Sequence, residues 1–275
     1  MSKVDLHIHT TASDGKFTPA EIVRKSAAAG LAYIGICDHD SIDGVAPAQT
    51  AARDFPGLTV IGGVEINTDI PAGELHILGY YCDCNDAELS STLLRLRDSR
   101  ILRAKKMVAK LRSMGIKIDY ERVEELAGEG SVGRPHVAQS LLEKGYINNF
   151  REAFAKYIGR GGPAYVERDK ITPAEATRLI RRVGGIPVMA HPLTSDNYET
   201  LVAELKTAGL MGLEVYYGNY SLEQIQVLLE LAARYDLIAT GGSDFHGLDN
   251  LSEPPLGQVD VPLSCAVKLM ESSRK

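Results

Sequence analysis

The chain has 275 residues, of which 44% are hydrophobic and 24% charged, and its formal net charge is −6. This length and composition allow a sizeable core, as one large domain or one domain with an insertion, and exclude a small disulfide-rich domain. No run approaches the roughly 18 apolar residues of a membrane helix, and no signal-like segment precedes the first strand. We therefore expect a cytoplasmic, non-membrane protein with no obligate protein partner, in which four irregularly spaced cysteines stay reduced.

Short apolar segments alternate with helical segments along most of the chain. Helices have clear starting signals at Thr18, Thr172 and Ser221, each of which is followed three residues later by Glu or Gln. This spacing is typical of a capping box, in which the two side chains satisfy free amide groups at the helix start. The apolar segments resemble strands of a parallel sheet that is covered on both faces. They are KVDLHIH, AYIGICD, LTVIGGVE, IPVMAH, GLEVYY and LIATGGSD.

Polar side chains lie at or just beyond the carboxyl ends of these predicted strands. In a barrel those ends meet at one mouth, whereas an open sheet would spread them apart. His7 and His9 lie on one side of their strand because side chains alternate with a period of two. Histidine together with carboxylate suits Zn, Mn or Fe better than Ca or Mg. The pattern favours an α/β barrel, which brings these strand-end residues together, and a site for several transition-metal ions. The strand-end residues are His7, His9, Asp38, His39, Asp40, Glu65, His191, Glu214, Asp244 and His246.

A helical region from 86 to 162 interrupts the alternation of strands and helices. Its first part has helical apolar spacing from Leu89 to Met114 and carries eight Lys or Arg against one acid between Arg95 and Arg112. One long amphipathic helix is predicted, with a basic surface that is either simply solvated or attracts an anionic substrate such as a nucleotide or RNA end. We expect a barrel domain over 1–85 and 163–275, with 86–162 as a helical cap that selects substrates.

The motifs resemble those of the PHP (polymerase and histidinol phosphatase) superfamily of metal-dependent phosphoesterases. The resemblance rests on DLHIHTTASDGKFTP, IGICDHDSIDG, GVEI, HILGY, AHP and GSDFH, which occur in the family order over nearly the whole chain. The segment SVGRPHVAQSLLEKG and the helical insertion are similar to the group of 3′,5′-nucleoside bisphosphate phosphatases and RNase AM exoribonucleases. The resemblance implies a distorted seven-stranded (β/α) barrel and three divalent metal ions, with Mn favoured and Zn or Fe as alternatives.

The resemblance also implies a set of nine metal ligands. His7, His9 and Asp244 would hold one ion, and Glu65 would bridge it to a second ion. The second ion would be completed by two further histidines and the third by an aspartate and two histidines. These remaining ligands are His76 and His191 for the second ion, and Asp14, His39 and His246 for the third.

The implied reaction is hydrolysis of the 5′-phosphate esters of nucleotides, and of short RNA 5′ ends, through attack by a hydroxide that bridges the ions. Asp40 is a candidate catalytic residue that orients the attacking water or moves a proton. Arg134 and His136, in the sequence RPH, are candidate catalytic and substrate-binding residues. The guanidinium of Arg134 can bind a phosphate with two hydrogen bonds. Arg160 is a further candidate for substrate binding.

Two other activities compete with this interpretation. A histidinol-phosphate phosphatase would use the same chemistry, although so small a substrate has less need of a large cap and a basic helix. An amidohydrolase-type C–N hydrolase would also begin with an HxH motif and end with a strand-end aspartate. It would lack the additional set of Asp14, His39 and His246.

Overall fold

A computed structural model of the protein describes residues 3–70, 73–128, 132–167, 170–218, 220–247 and 253–274. The chain divides into two compact units. The first, here called the barrel unit, comprises Met1–Leu93 and Ile171–Lys275, and the second, the helical unit, comprises Leu94–Lys170. Among the described helices, none has the length and apolarity that a membrane span requires.

Seven strands form one sheet in the barrel unit, and their order in the sheet is their order in the chain. Neighbouring strands are parallel except that β4 runs antiparallel to both β3 and β5. The strands are β1 (Val4–Ile8), β2 (Tyr33–Ile36), β3 (Thr59–Ile70), β4 (Gly73–Tyr80), β5 (Ile186–Met189), β6 (Gly212–Tyr217) and β7 (Ile238–Gly242).

The sheet closes almost completely on itself beyond the end of β7. Phe245 forms a bridge with Ile8 of β1, and the His9 amide donates to the Phe245 carbonyl at 2.9 Å. The structure therefore confirms the predicted α/β class and the distorted seven-stranded barrel. Closure matters for function because it brings the carboxyl ends of β1 and β7 together.

Ten α-helices accompany the sheet in the described chain, and three of them in the barrel unit begin at the capping boxes that the sequence predicts. Thr18, Thr172 and Ser221 each accept from the amide three residues later, and the Glu or Gln there bonds back to the cap. The helices are α1 (Pro19–Ala28), α2 (Val45–Ala51), α3 (Ala87–Ser113), α4 (Tyr120–Ala127), α5 (Arg134–Glu143), α6 (Phe150–Ala153), α7 (Pro173–Arg182), α8 (Tyr198–Ala208), α9 (Leu222–Arg234) and α10 (Leu263–Ser272).

The helical unit has an apolar core of its own. The predicted long amphipathic helix is present as α3, which begins in the barrel unit and runs on through the helical unit. It buries one face with side chains of α4 and α5, and its basic side chains lie mainly on the other face. The core includes Met107, Val108, Leu111, Ile118, Val123, Val137, Leu141, Ala153 and Ile158.

Candidate metal centre

Side chains from six strands or the segments directly after them meet at one end of the barrel. His7 is on β1, His39 follows β2, Glu65 lies within β3, and His191 follows β5. His76 lies within β4, which runs antiparallel to β3, and it pairs with Asn67 of β3. The closing strand β7 is followed by Asp244 and His246.

Three groups of these side chains have ligand atoms close enough to share an ion. Within each group the ligand atoms lie no more than 4.8 Å apart. Eight of the nine predicted ligands are members, and His39, Glu65 and His9 each belong to two groups. The groups are His7, His9, Glu65 and Asp244; His9, Asp14, His39 and His246; and His39, Glu65 and His76.

His191 is the ninth predicted ligand, and it contacts the cluster through Glu65. Its Nε2 lies 3.1 Å from Glu65 Oε1, and His76 Nδ1 lies 2.8 Å from the same oxygen. The hydroxyl of Thr194 donates to the His191 carbonyl, and its oxygen lies 3.4 Å from His191 Nδ1. This arrangement favours a proton on Nδ1, which leaves Nε2 of His191 as a ligand atom.

The atoms of the cluster fit a metal better than they fit one another. Glu65 Oε2 lies 2.8 to 3.5 Å from ring nitrogens of His39, His9 and His7, yet it is buried without a well-formed hydrogen bond. Asp14 Oδ1 is also buried without one. Nε2 of His7 and Nε2 of His9 are only 3.2 Å apart. Two unprotonated nitrogens at this distance would repel each other unless a cation lay next to both. Nitrogen and carboxylate oxygen together are the donors that Mn, Fe and Zn accept.

The electrostatics of the buried cluster depend on histidines facing carboxylates. Burial by itself raises the pKa of Glu65, but His39, His76 and His7 outweigh it and hold this pKa well below its usual range. Burial lowers the pKa of His7, and Asp244, Glu214 and Glu65 together raise it well above its usual value. The carboxylates are therefore ionised at neutral pH, as metal ligands must be.

Backbone strain is concentrated at this end of the barrel. Among the described residues, five that are not glycine have positive φ, and three of them are Asp40 (φ 50°), His191 (φ 28°) and Asp244 (φ 54°). Such conformations cost free energy and persist where the surrounding structure enforces them, typically at functional sites.

Buried carboxylates that are not predicted ligands fix the segments carrying the ligands. Asp38 accepts from the Thr10 amide at 2.7 Å and from the Ser13 hydroxyl at 2.6 Å. Asp5 accepts from the Ser243 amide at 2.9 Å, next to Asp244. Sequence reasoning did not anticipate the role of Asp5, although a carboxylate within an apolar strand is a detectable signal.

Asp40 lies within hydrogen-bond reach of β3 at the same end of the barrel. It is 1% exposed, and its Oδ1 accepts a 3.0 Å hydrogen bond from the Asn67 amide. Asn67 Nδ2 is in turn 2.8 Å from Nδ1 of His39. Asp40 is therefore close in structure to a predicted ligand, and its role in catalysis stays a prediction.

The three predicted substrate-binding residues belong to the helical unit. Arg134 begins α5, and its guanidinium lies 5.5 Å from the centre of the Phe154 ring. His136 Nδ1 accepts a 3.0 Å hydrogen bond from the Gly133 amide, so this ring nitrogen caps the helix. Arg160 is exposed. Their roles toward substrate stay predictions.

Known proteins resemble the chain over most of its length. It is 35% identical to a 5′-3′ exoribonuclease of Haemophilus influenzae, over 89% of this chain and 90% of the relative. It is 33% identical to a 3′,5′-nucleoside bisphosphate phosphatase of Chromobacterium violaceum, over 90% of this chain and 88% of the relative. A solved structure from Chromobacterium violaceum, described as an amidohydrolase with bound sulfate and no metal, has 31% identity, a TM-score of 0.88, and coverage of 98% of this chain and 97% of that chain.

A nearly closed barrel with a cluster of histidines and carboxylates at its strand ends, together with these relatives, defines a metal-dependent phosphoesterase. The sequence model of the PHP domain family matches residues 5–183 of the chain. The chain belongs to the PHP domain family, which confirms the resemblance identified in its motifs.

Proposed function

We propose that the protein hydrolyses the 5′-phosphate ester of nucleotides, including nucleoside 3′,5′-bisphosphates, and of short RNA 5′ ends. The observation that supports this most strongly is the convergence of three ligand groups around Glu65 and His9 at one end of the barrel. The names of the two relatives, a bisphosphate phosphatase and an exoribonuclease, support nucleotides and RNA as the substrate class.

The proposed centre holds three divalent ions, with Mn favoured and Zn or Fe as alternatives. When bound, the ions would supply an activated water and neutralise charge on the phosphoryl oxygens. Glu65 is suited to lie between two ions because its two oxygens face different histidines. The proposed ligands are His7, His9, Asp14, His39, Glu65, His76, His191, Asp244 and His246.

The protein's own side chains hold and orient this centre and the substrate. Tyr217 donates to Asp244 Oδ2 at 2.9 Å, which fixes the direction of that carboxylate, and His246 Nε2 lies 3.4 Å from Asp14 Oδ1. Asp40 is proposed to orient the water or accept its proton. Arg134, His136 and Arg160 are proposed to bind substrate, Arg134 through the paired N–H groups that suit a phosphate.

Phosphate release from a panel of substrates tests the proposal directly. The Mn-loaded protein is expected to release phosphate from adenosine 3′,5′-bisphosphate and AMP, and to shorten 5′-phosphorylated oligoribonucleotides. A clear preference for histidinol phosphate would replace the substrate class while leaving the reaction unchanged. We propose that the reaction occurs in the cytoplasm and needs no obligate protein partner.

Inactivity toward all four phosphate esters would contradict the proposal and favour C–N hydrolysis. The description of the structurally similar protein as an amidohydrolase makes this alternative worth a direct assay. The group of His9, Asp14, His39 and His246 favours phosphate chemistry, since a third ion position suits a substrate with several charged oxygens.

A further inference from the structure

Glu214 is a buried carboxylate of β6 that contacts two of the proposed ligands at once. It has no exposed surface. Its Oε1 lies 2.9 Å from His7 Nδ1, and its Oε2 accepts a 2.7 Å hydrogen bond from the backbone amide of His191. A buried carboxylate is costly unless its oxygens are hydrogen-bonded, so this geometry fixes Glu214 as firmly as it fixes the histidines.

The contact with His7 determines which of its ring nitrogens faces the proposed ions. His7 Nε2 lies 3.3 Å from Asp244 Oδ1 and 3.5 Å from Glu65 Oε2, on the side of the ring opposite Glu214. A carboxylate at Nδ1 holds the proton there and leaves the lone pair of Nε2 available, so that this nitrogen would be the one to bind an ion. Glu214 therefore selects the ligating tautomer of His7.

The contact with His191 acts on the backbone rather than on the ring. His191 has φ 28° and ψ 60°, an unfavourable conformation for a residue with a side chain. Its amide is held by Glu214 Oε2, and its ring Nε2 lies 3.1 Å from Glu65 Oε1. The hydrogen bond from Glu214 thus stabilises the turn that directs the ring toward Glu65.

An irregularity in β6 explains how one strand reaches several ligands. The register with β7 shifts between Glu214 and Tyr216, so Glu214 pairs with Thr240 while Tyr217 pairs with Gly242. A bulge of this kind changes the side to which the following side chains point. As a result Tyr217, three residues after Glu214, donates to Asp244 Oδ2 at 2.9 Å.

We propose that Glu214 is a positioning residue that couples two ion positions of the centre, by fixing the His7 tautomer with one oxygen and the His191 turn with the other. This inference rests on the metal centre of the proposed function. The positioning role of Glu214 requires two acceptor oxygens, because both partners, His7 Nδ1–H and the His191 amide, are donors. Glutamine has the same shape but only one acceptor, and its NH₂ group would face one of the donors.

The matched test compares Glu214→Gln with Thr240→Val. Thr240 is buried opposite Glu214 on β7, and its hydroxyl donates to the Leu213 carbonyl, so Thr240→Val controls for local packing. We expect Glu214→Gln to weaken Mn²⁺ binding, measured by equilibrium dialysis without substrate, by roughly 10- to 100-fold. Thr240→Val should leave the affinity unchanged, and an unchanged affinity in Glu214→Gln would overturn the proposal.

Kinetics supply a readout that a general loss of stability would not produce. In Glu214→Gln, kcat should fall at limiting Mn²⁺ and recover in excess Mn²⁺, with the nucleotide KM nearly constant. In a His7→Ala background the same substitution should cause much less additional loss of affinity, since one of its two targets is gone. Full additivity would contradict the proposed action through His7.

A second variant covers the case in which Glu214→Gln does not fold. Glu214→Asp keeps both acceptor oxygens but draws them back by one methylene from His7 Nδ1 and the His191 amide. It should weaken Mn²⁺ binding relative to Thr240→Val, and an affinity equal to that of this control would overturn the proposal. Where Glu214→Gln also folds, it should lose more affinity than Glu214→Asp. A wild-type protein that binds Mn²⁺ but hydrolyses no phosphate ester would defeat the proposed function alone. An active wild type with unchanged metal affinity in the Glu214 variants would defeat this inference alone.

Discussion

The barrel unit and the helical unit differ in how many polar side chains they bury. Of the buried polar residues in the described chain, all but Arg103 and Ser140 lie in the barrel unit. Both units have apolar cores, and that of the helical unit includes Leu111, Val137 and Leu141. Buried polar groups are costly unless every partner is in place, so they are concentrated where chemistry requires them. The difference separates a unit specialised for metal chemistry from one whose interior contributes mainly stability.

Glu65→Gln is expected to have the largest effect and tests the chemical role of the barrel unit. Glu65 contacts five histidines, and replacing one of its anionic oxygens removes the proposed link between two ions. A loss of several kcal/mol of transition-state stabilisation corresponds to at least about a 10³-fold fall in kcat/KM. Phosphate release at saturating Mn²⁺ measures it, with the exposed Glu230→Gln on α9 as the control. Activity within tenfold of wild type would contradict the assignment.

Asp40→Asn separates catalysis from structure within the barrel unit. The asparagine keeps an acceptor for the Asn67 amide, so the local fold should be preserved while proton transfer is lost. General-base roles are commonly worth at least about 10²-fold, and we expect kcat to fall by this amount at unchanged metal content. If kcat is unaffected, Asp40 serves only to hold β3.

Arg134→Ala asks whether the helical unit contributes to substrate binding as well as stability. Loss of a charge-assisted hydrogen bond to phosphate should raise KM by about tenfold, with a smaller change in kcat. Arg122→Ala is the control, because Arg122 pairs with Glu143 and Glu125 on the surface of the same unit. A fall in bound metal in Arg134→Ala, or equal KM values in the two variants, would show that the proposed role is wrong.

The smallest of the expected effects is the change in thermal stability when metal is removed. This change should depend on pH. Burial lowers the pKa of His246, but Asp14 and Asp244 outweigh it and raise the pKa to about 10. A raised folded-state pKa gives stability that is complete below the unfolded value, about 6.5, and is lost as pH rises toward the folded value. Metal ions compete with protons for the ring nitrogens, so they bind the histidines more tightly at higher pH. Mn²⁺ should therefore raise Tm more at pH 8 than at pH 6, and the opposite order would contradict the cluster electrostatics.

Local signals in the sequence predicted the elements well. The capping boxes at Thr18, Thr172 and Ser221 and the long helix α3 are confirmed, because each depends on residues within a few turns of one another. The placement of polar residues after strands also led correctly to the barrel, since parallel strands end on one side. These inferences needed spacing alone.

Contacts between distant parts of the chain could not be predicted from the sequence pattern. The pairing of Glu214 with His7 and His191 depends on the β6 irregularity, and no local motif indicates that shift. The antiparallel direction of β4 is likewise a property of the sheet, and it places His76 beside Asn67 of β3. Such positions are set by sheet register, and spacing alone cannot supply it.

Phosphate release during a metal titration is the decisive experiment for metal-dependent hydrolysis of a nucleotide phosphate ester. Chelator-treated protein is mixed with adenosine 3′,5′-bisphosphate, and Mn²⁺ is added in steps. We expect no release without metal and a rise that saturates near the proposed occupancy of about three ions per chain. Release that is equally fast in excess chelator would contradict a metal-dependent phosphoesterase built from these nine side chains.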